Sequence, residues 1–525
     1  MSATISGGLN RPQAGRWLVA SAVMASAVMQ ALDTSVVNVS LRHIAGGLSG
    51  TADEATWVLT SYLVANAVIL PITGWVANYF GRKRLLLTAV TGFTVSSVLC
   101  GLATSLPLLI FFRVLQGITG GGLQPLSQAV LLEEFPREER GKAMAFWALG
   151  IMAAPILGPT IGGWLTDNYS WRWVFYINLP IGIASLVMIS LFLYDPPYIR
   201  RREAMRVDLW GLGMLAVGMG ALQVMLDQGQ EKDWFGSHFI VTLAAIAAIL
   251  LPAFVIREFL VAEPIVHFRL LKDRSFAAGI GMTTILGFVL YGSLVLLPSF
   301  MQTLLGWTAV TAGVWTSPRG IGTALCMPLV GYLLGKNWDG RWMLVFGFAV
   351  ASVAFFGFSH MSLQSGTWDL FWGQICQGVG MAFVFVPLTT LTMDAIPKAE
   401  TGYATSLYSV VRNIGSSVGI SFVTTWVARR SQFHQSILVA HLTPYNLKMQ
   451  EFRGQTGAFL VHRGADWTTA GRGSLAVIYG MVQQQAALLS FVEVFRVMGI
   501  LFLAIIPFVM LMRKAKSGVS SPSVH

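Results

Sequence analysis

Charge is what this 525-residue chain has least of: Asp, Glu, Lys and Arg make up 11% of it, against roughly 25% in an ordinary soluble domain. Cysteine is scarcer still. Cys100, Cys326 and Cys376 are the whole complement. Each lies inside an apolar run, at no spacing that a disulfide framework or zinc site requires, so they read as core thiols. No phosphate loop of the Gly-x-x-x-x-Gly-Lys-Ser/Thr kind is present, since Gly331 to Lys336 has the wrong spacing and is followed by Asn337. ATP is therefore excluded as the energy source. There is no nucleophile elbow and no His-Glu-x-x-His, and the cluster Gly120-Gly121-Gly122 falls within a helical run rather than after a strand. None of the eight histidines forms a metal-ligand spacing, and His434 and His441 read as solvated. The chain thus shows no catalytic set and implies neither a metal nor an organic cofactor.

What it has in abundance is apolar length. Hydrophobic residues make up 54%, with 54 Gly and 32 Phe, a composition suited to helices packed closely in lipid. Stretches of about 20 residues, enough to cross a hydrocarbon core of about 30 Å, fall at 16–39, 55–77, 85–104, 107–132, 142–164, 173–194, 209–228, 237–256, 276–300, 311–334, 342–360, 370–394, 403–427 and 491–512. The expectation is an all-α membrane protein with fourteen transmembrane helices. The net charge of +11 does not indicate a nucleic-acid partner, because the basic residues sit in short loops between apolar runs rather than on one face of a soluble domain. Alternate loops carry them, as in Arg82–Arg84 and Arg200–Arg202, while the short loops between hold only Arg42, Arg172 and Lys232. The positive-inside rule then places both termini in the cytoplasm. The first span is longer than the apolar core of a signal peptide and is expected to be retained.

The chain also repeats itself. Gln116-Gly117 and Gln377-Gly378 lie 261 residues apart, as do Gly141 and Gly402, which open spans five and thirteen; Gly74 and Gly331 end spans two and ten, 257 apart. The predicted organisation is a cytoplasmic N-terminus at 1–15, a six-helix bundle at 16–194, a linker at 195–264 with two inserted helices, a second six-helix bundle at 265–514 and a cytoplasmic tail at 515–525. A long outer loop is expected at 428–490. Duplicated halves with a site at their interface suit a secondary transporter, since rocking one half against the other exposes the site alternately.

Charge inside the spans marks candidate function. Asp33 and Arg113 are expected at one depth, each about six residues from the same face of the membrane, where they can interact. A carboxyl in such a place loads or releases a proton as conformational change alters the water and the opposite charge around it. The alternative is a wet interfacial aspartate and an arginine that caps backbone carbonyls. Arg319 and Arg412 are expected to be buried in the second half, serving an anionic group or a neighbouring acid such as Asp394. On span five, Ala154, Gly158 and Gly162 recur every four residues as a small face, and Pro155 and Pro159 bend the helix.

Four segments carry a resemblance: Leu32-Asp33-Thr34-Ser35-Val36-Val37-Asn38-Val39; Gly74 to Arg84; Arg113 to Pro125; and Ala154 to Gly163. Over essentially its whole length the chain resembles the major facilitator superfamily, in particular the fourteen-helix drug:proton antiporters of the EmrB/QacA type. Leu226-Asp227-Gln228-Gly229-Gln230-Glu231-Lys232-Asp233-Trp234 is similar to the EmrB branch from Gram-negative bacteria. The resemblance implies the major facilitator fold, two pseudo-symmetric six-helix bundles plus two linker helices. It also implies export of hydrophobic or amphipathic drugs across the bacterial inner membrane in exchange for protons. Asp33 and Arg113 then couple protons. Pro155, Gly158, Pro159, Gly162 and Gly163 form the antiporter motif, and Gly74, Asn78, Gly81, Arg82 and Lys83 form a cytoplasmic latch in which Asn78 replaces the usual Asp. Asn38, Gln116, Gln124, Arg319, Asp394 and Arg412 are candidate cavity residues. The implied partners are a periplasmic adaptor of the EmrA type and an outer-membrane channel of the TolC type, with 428–490 the candidate docking segment. An exporter of one metabolite or siderophore is the alternative.

Overall fold

The computed structural model describes residues 13–194, 208–261, 263–336, 338–443 and 445–514. Residues 1–12 of the N-terminal segment expected at 1–15, the Arg200–Arg202 run and the tail at 515–525 lie outside them. Helices are the only regular structure among the described residues, as apolar segments without a water-exposed backbone require.

The first half runs α1 (Gln13–Gly47), α2 (Ala52–Ile69), α3 (Thr73–Phe80), α4 (Arg82–Leu102), α5 (Leu106–Gly120), α6 (Leu123–Glu134), α7 (Arg137–Asn168), α8 (Trp173–Tyr176) and α9 (Asn178–Phe192). Thr51 starts α2 with a reciprocal cap, its hydroxyl accepting from Glu54 N while the Glu54 carboxylate accepts from Thr51 N at 2.9 Å. Gly81, at φ +87°, makes the turn between α3 and α4, a conformation that a side chain resists. Next come α10 (Leu209–Gln228) and α11 (His238–Leu260), packed on each other. The second half comprises α12 (Arg274–Thr303), α13 (Ala309–Thr316), α14 (Pro318–Gly335), α15 (Gly340–Phe358), α16 (Thr367–Asp394), α17 (Thr401–Ala440), α18 (Leu447–His462) and α19 (Trp467–Val509).

Packing repeats between the halves. α1 lies on α7, α2 on α5, and α9 on α1 and α4; correspondingly α12 lies on α17, α14 on α16, and α19 on α12 and α15. The two sets meet where α7 faces α14 and α16, and where α17 faces α3 and α6. Glycine decides how close they come. A Cβ on Gly74 would stand 2.6 Å from the Gly402 carbonyl oxygen, and one on Gly331 would stand 3.4 Å from the Gly141 carbonyl oxygen. Gly74 and Gly331 are repeat mates, and so are Gly141 and Gly402, so these two contacts are copies of one contact. Both lie toward the end of the molecule that carries Gly81–Arg84, here termed the basic end.

Twelve helices among the described residues are long and apolar enough to cross a membrane. The stretches expected at 311–334 and 403–427 are helical as α13–α14 and α17 but fall outside that set. Arg319 in one, and Arg412 with a dense run of Ser and Thr in the other, lower their apolarity. The segment 428–490, expected as a loop, is helical as well. α17 continues to Ala440, α18 follows, and α19 begins at Trp467 and passes into the last apolar stretch without a break. Of the three cysteines, only Cys100 is a core thiol; Cys326 is half-buried and Cys376 exposed.

Candidate functional site

Asp33 sits mid-helix on α1 and Arg113 on α5, both with zero exposure. Arg113 Nη1 donates to Asp33 Oδ2 at 2.6 Å, and Arg113 Nε donates to the Val58 carbonyl at 3.0 Å. The same Nη1 reaches Gln116 Oε1 at 2.7 Å, and Gln116 Nε2 donates to Asp33 Oδ1 at 3.0 Å. A third donor comes from α9, where Asn178 Nδ2 lies 2.7 Å from Asp33 Oδ1 and 2.9 Å from Ser97 Oγ. Below the guanidinium lies the Tyr62 ring, 4.1 Å from Arg113 Cζ. Sequence reading found Asp33, Arg113 and Gln116 but missed Asn178, Ser97 and Tyr62, which carry no charge and no repeat. The acid is fully enclosed. Three N–H donors, from Arg113, Gln116 and Asn178, take three of the roughly four acceptor positions on its two oxygens.

The glycines of α7 set this geometry. A Cβ on Gly158 would fall 2.3 Å from Ser35 Oγ, and one on Gly162 would fall 3.0 Å from Val36, so α7 seats on α1 one turn beyond Asp33. Gly163 faces open space. Pro155 and Pro159 lie inside the unbroken helix, with Pro155 lining a cleft between the halves.

At the basic end, Gly74 N donates to Ser406 Oγ on α17 at 2.8 Å. Asn78 Oδ1 and Arg82 Nη2 face Gly402 in the first turn of α17, 3.6 and 3.7 Å from where its Cβ would be. Arg82 is buried and ion-paired with Glu133 of α6. A carboxylate is thus supplied to this cation from α6, although position 78 is an amide. Lys83 turns back to its own half, donating to the Ser190 carbonyl at 2.7 Å. Close by, His267 stacks on Tyr403 at 3.9 Å between ring centres. Burial holds its imidazole below the ordinary value of 6.5, with Glu400 opposing and Arg269 reinforcing.

The remaining candidates scatter. Asn38 is exposed on α1. Arg412 Nη2 donates to Gln124 Oε1 at 2.9 Å across the two halves. Asp394, expected beside Arg319 or Arg412, instead pairs with Arg137 at 3.8 Å, because it ends α16 at the basic end while the two arginines lie deeper. Arg319 lines the cleft with Met152, Tyr291, Leu294 and Met381, a space of about 490 Å³ including its open mouth. His434, expected in solvent, binds Glu493 at 2.9 Å beside Arg430, whose guanidinium grips the same carboxylate at 2.6 Å through both Nε and Nη2. Among the described residues no group of His, Cys, Asp and Glu is placed to hold a metal ion.

A helical bundle in two similarly packed sets, meeting around a cleft and holding a sealed acid–cation pair within one set, fits a membrane transporter. The chain belongs to the Major Facilitator Superfamily, whose sequence profile matches residues 23–420. It is 41% identical over 446 residues to the multidrug export protein EmrB of Haemophilus influenzae, covering 84% of this chain and 86% of that one. It is 38% identical over 489 residues to the fatty acid resistance protein FarB of Neisseria gonorrhoeae, covering 92% and 93%, and 36% identical over 452 residues to EmrB of Escherichia coli, covering 85% and 87%. In fold it is similar to the human organic anion transporter MFSD10 (TM-score 0.57, 12% identity, 94% of this chain and 100% of that one). It is also similar to the proton:xylose symporter XylE (TM-score 0.53, 16% identity, 91% and 95%).

Proposed function

We propose that this protein is a proton-coupled antiporter that exports hydrophobic or amphipathic compounds across the bacterial inner membrane by alternating access. The observation that carries the reading is the enclosed Asp33 cluster, which draws donors from α5 and α9 onto a carboxylate of α1. An intramembrane acid is costly unless it is used. Opening the cluster to one face at a time would let a proton enter from outside and leave inside, and the cleft would change its opening in the opposite sense. The proton gradient is then the sole energy source. The kinship with proteins named for multidrug export supports the substrate range.

Adding α13–α14 and α17 to the twelve apolar helices gives fourteen crossings, with α10 and α11 as the inserted pair. The basic end then faces the cytoplasm together with both termini, and the conformation described is shut on that side. The helices of 428–490 project on the outer side, where an adaptor of the EmrA type, leading to a channel of the TolC type, would meet them.

Inverted membrane vesicles with an imposed pH gradient test this. Uptake of a fluorescent drug should follow the gradient and vanish in Asp33→Asn. Uptake that ignores the gradient, or that survives this substitution unchanged, overturns the mechanism. A substrate screen in a pump-deleted strain separates a broad range from a single metabolite.

A further inference from the structure

The two halves share more than their helix packing. Gln377 is the repeat mate of Gln116, and position 293 lies 260 residues beyond Asp33, against 261 for the two glutamines. Gln116 Nε2 donates to Asp33 at 3.0 Å, and Gln377 Nε2 donates to Ser293 Oγ at 3.1 Å. A buried cation completes each set, from α5 in the first half and from α14 in the second, where Arg319 Nη1 lies 3.4 Å from Ser293 Oγ. The second half therefore repeats the glutamine and its polar partner with both charges changed, because a serine stands where the carboxylate stood and the cation comes from α14 instead of the helix that carries Gln377. Gln374, at the repeat position of Arg113, is fully buried with neither amide atom bonded.

This leaves a guanidinium that is only 8% exposed without an acid. Among the described residues no ion pair involves Arg319, and its one side-chain partner is a neutral hydroxyl at the long end of hydrogen-bonding range. A buried, unpaired charge is a severe cost to a fold, and the usual remedy is a partner of opposite sign. The group lines a cleft bounded by α7 of one half and by α12, α14 and α16 of the other. Its walls are apolar, formed by Met152, Leu290, Leu294 and Met381. We propose that Arg319 is the anchoring residue for an anionic head group, foremost the carboxylate of an amphipathic organic acid, which takes the place that Asp33 holds in the other half. Ser293 and Gln377 orient the guanidinium, and the apolar walls receive the organic body. The inference rests on reading the chain as an exporter, and it specifies which charge on the substrate the site prefers.

The test is equilibrium binding to the purified full-length protein in lipid nanodiscs near neutral pH, with no gradient imposed. The probes are tritiated naphthalene-1-acetate and its uncharged methyl ester. Arg319→Gln should weaken acid binding by about tenfold or more, the scale of a lost charge-assisted hydrogen bond, and leave the ester unaffected. Arg319→Lys should recover part of the loss. Ser293→Asp should abolish acid binding while the protein remains folded by thermal melting, since it installs the missing carboxylate. Equal loss of acid and ester in Arg319→Gln, undiminished acid binding in Ser293→Asp, or no acid binding by the wild type would overturn the proposal. Because binding is read without a gradient, acid selectivity that persists while gradient-driven uptake fails would remove the export reading and keep the site. Gradient-driven uptake without acid selectivity would do the reverse.

Discussion

Asp33 holds its place through donors drawn from two other helices, Arg113 and Gln116 of α5 and Asn178 of α9. Charge inside an apolar run is rare enough to mark it and Arg113 at once, and the repeated Gln-Gly pair marks Gln116. Asn178 leaves no such trace, although it contributes a 2.7 Å hydrogen bond from 145 residues away. A neutral amide in a long span looks like any other polar residue until the fold brings α9 against α1. Asn178→Ala should therefore lower gradient-driven uptake by roughly tenfold, the worth of one hydrogen bond to a charged group, with Asn178→Ser retaining part of the activity. Vesicle uptake at matched expression checks this, and an unchanged rate would show that α9 plays no part in coupling. His267 gives a prediction in pH. Its folded pKa lies below the ordinary 6.5 because burial disfavours the charged form. The stabilisation it contributes is full above that ordinary value and is lost as pH falls through the folded pKa. Thermal melting followed from pH 8 to pH 5 should show wild type losing stability relative to His267→Gln.

At the scale of elements, the helices were legible where apolar length is uninterrupted and illegible where helix continues past the apolar part. The apolar stretch expected at 403–427 stops short of Arg429 and Arg430, yet Arg430 and His434 close onto Glu493 of α19 and extend the helix pair beyond the apolar region. Polar residues that pair with each other are as compatible with helix as apolar ones that pack. The small face of α7 was legible from its four-residue spacing, but its neighbour was not, since spacing gives a face and not what meets it. That neighbour is α1 at Ser35 and Val36. Gly158→Ala must push α1 aside, at a cost of about 1–3 kcal/mol for overpacking, and in doing so it shifts Asp33 relative to its donors. Both thermal stability and uptake should fall, and Ser35→Gly should restore a substantial part of each by making room. Failure of the second substitution to rescue would mean that the helix contact is not what Gly158 provides.

For the whole molecule, the decisive feature is that one contact, used twice, closes one end. Gly74 meets Gly402, and Gly331 meets Gly141, each pair uniting a helix of one half with a helix of the other. The two copies are not equally tight. A methyl group on Gly74 would stand 2.6 Å from the Gly402 carbonyl oxygen, whereas one on Gly331 would meet the Ala145 methyl at 3.1 Å and the Lys142 backbone at 3.2 Å. The first contact cannot be relieved without moving a helix, while the others need a shift of only tenths of an ångström. Gly74→Ala should therefore hold the basic end apart and slow the cycle severely, and Gly331→Ala should do so mildly. Asn78→Asp should act in the opposite sense, because a carboxylate facing the first turn of α17 gains about 0.3–1 kcal/mol from the helix N-terminus and favours the shut state. Spin-label distances across the basic end, compared among these three variants, report the balance directly. Equal displacement in Gly74→Ala and Gly331→Ala would show that the halves pivot as symmetric bodies about both contacts rather than about the tighter one.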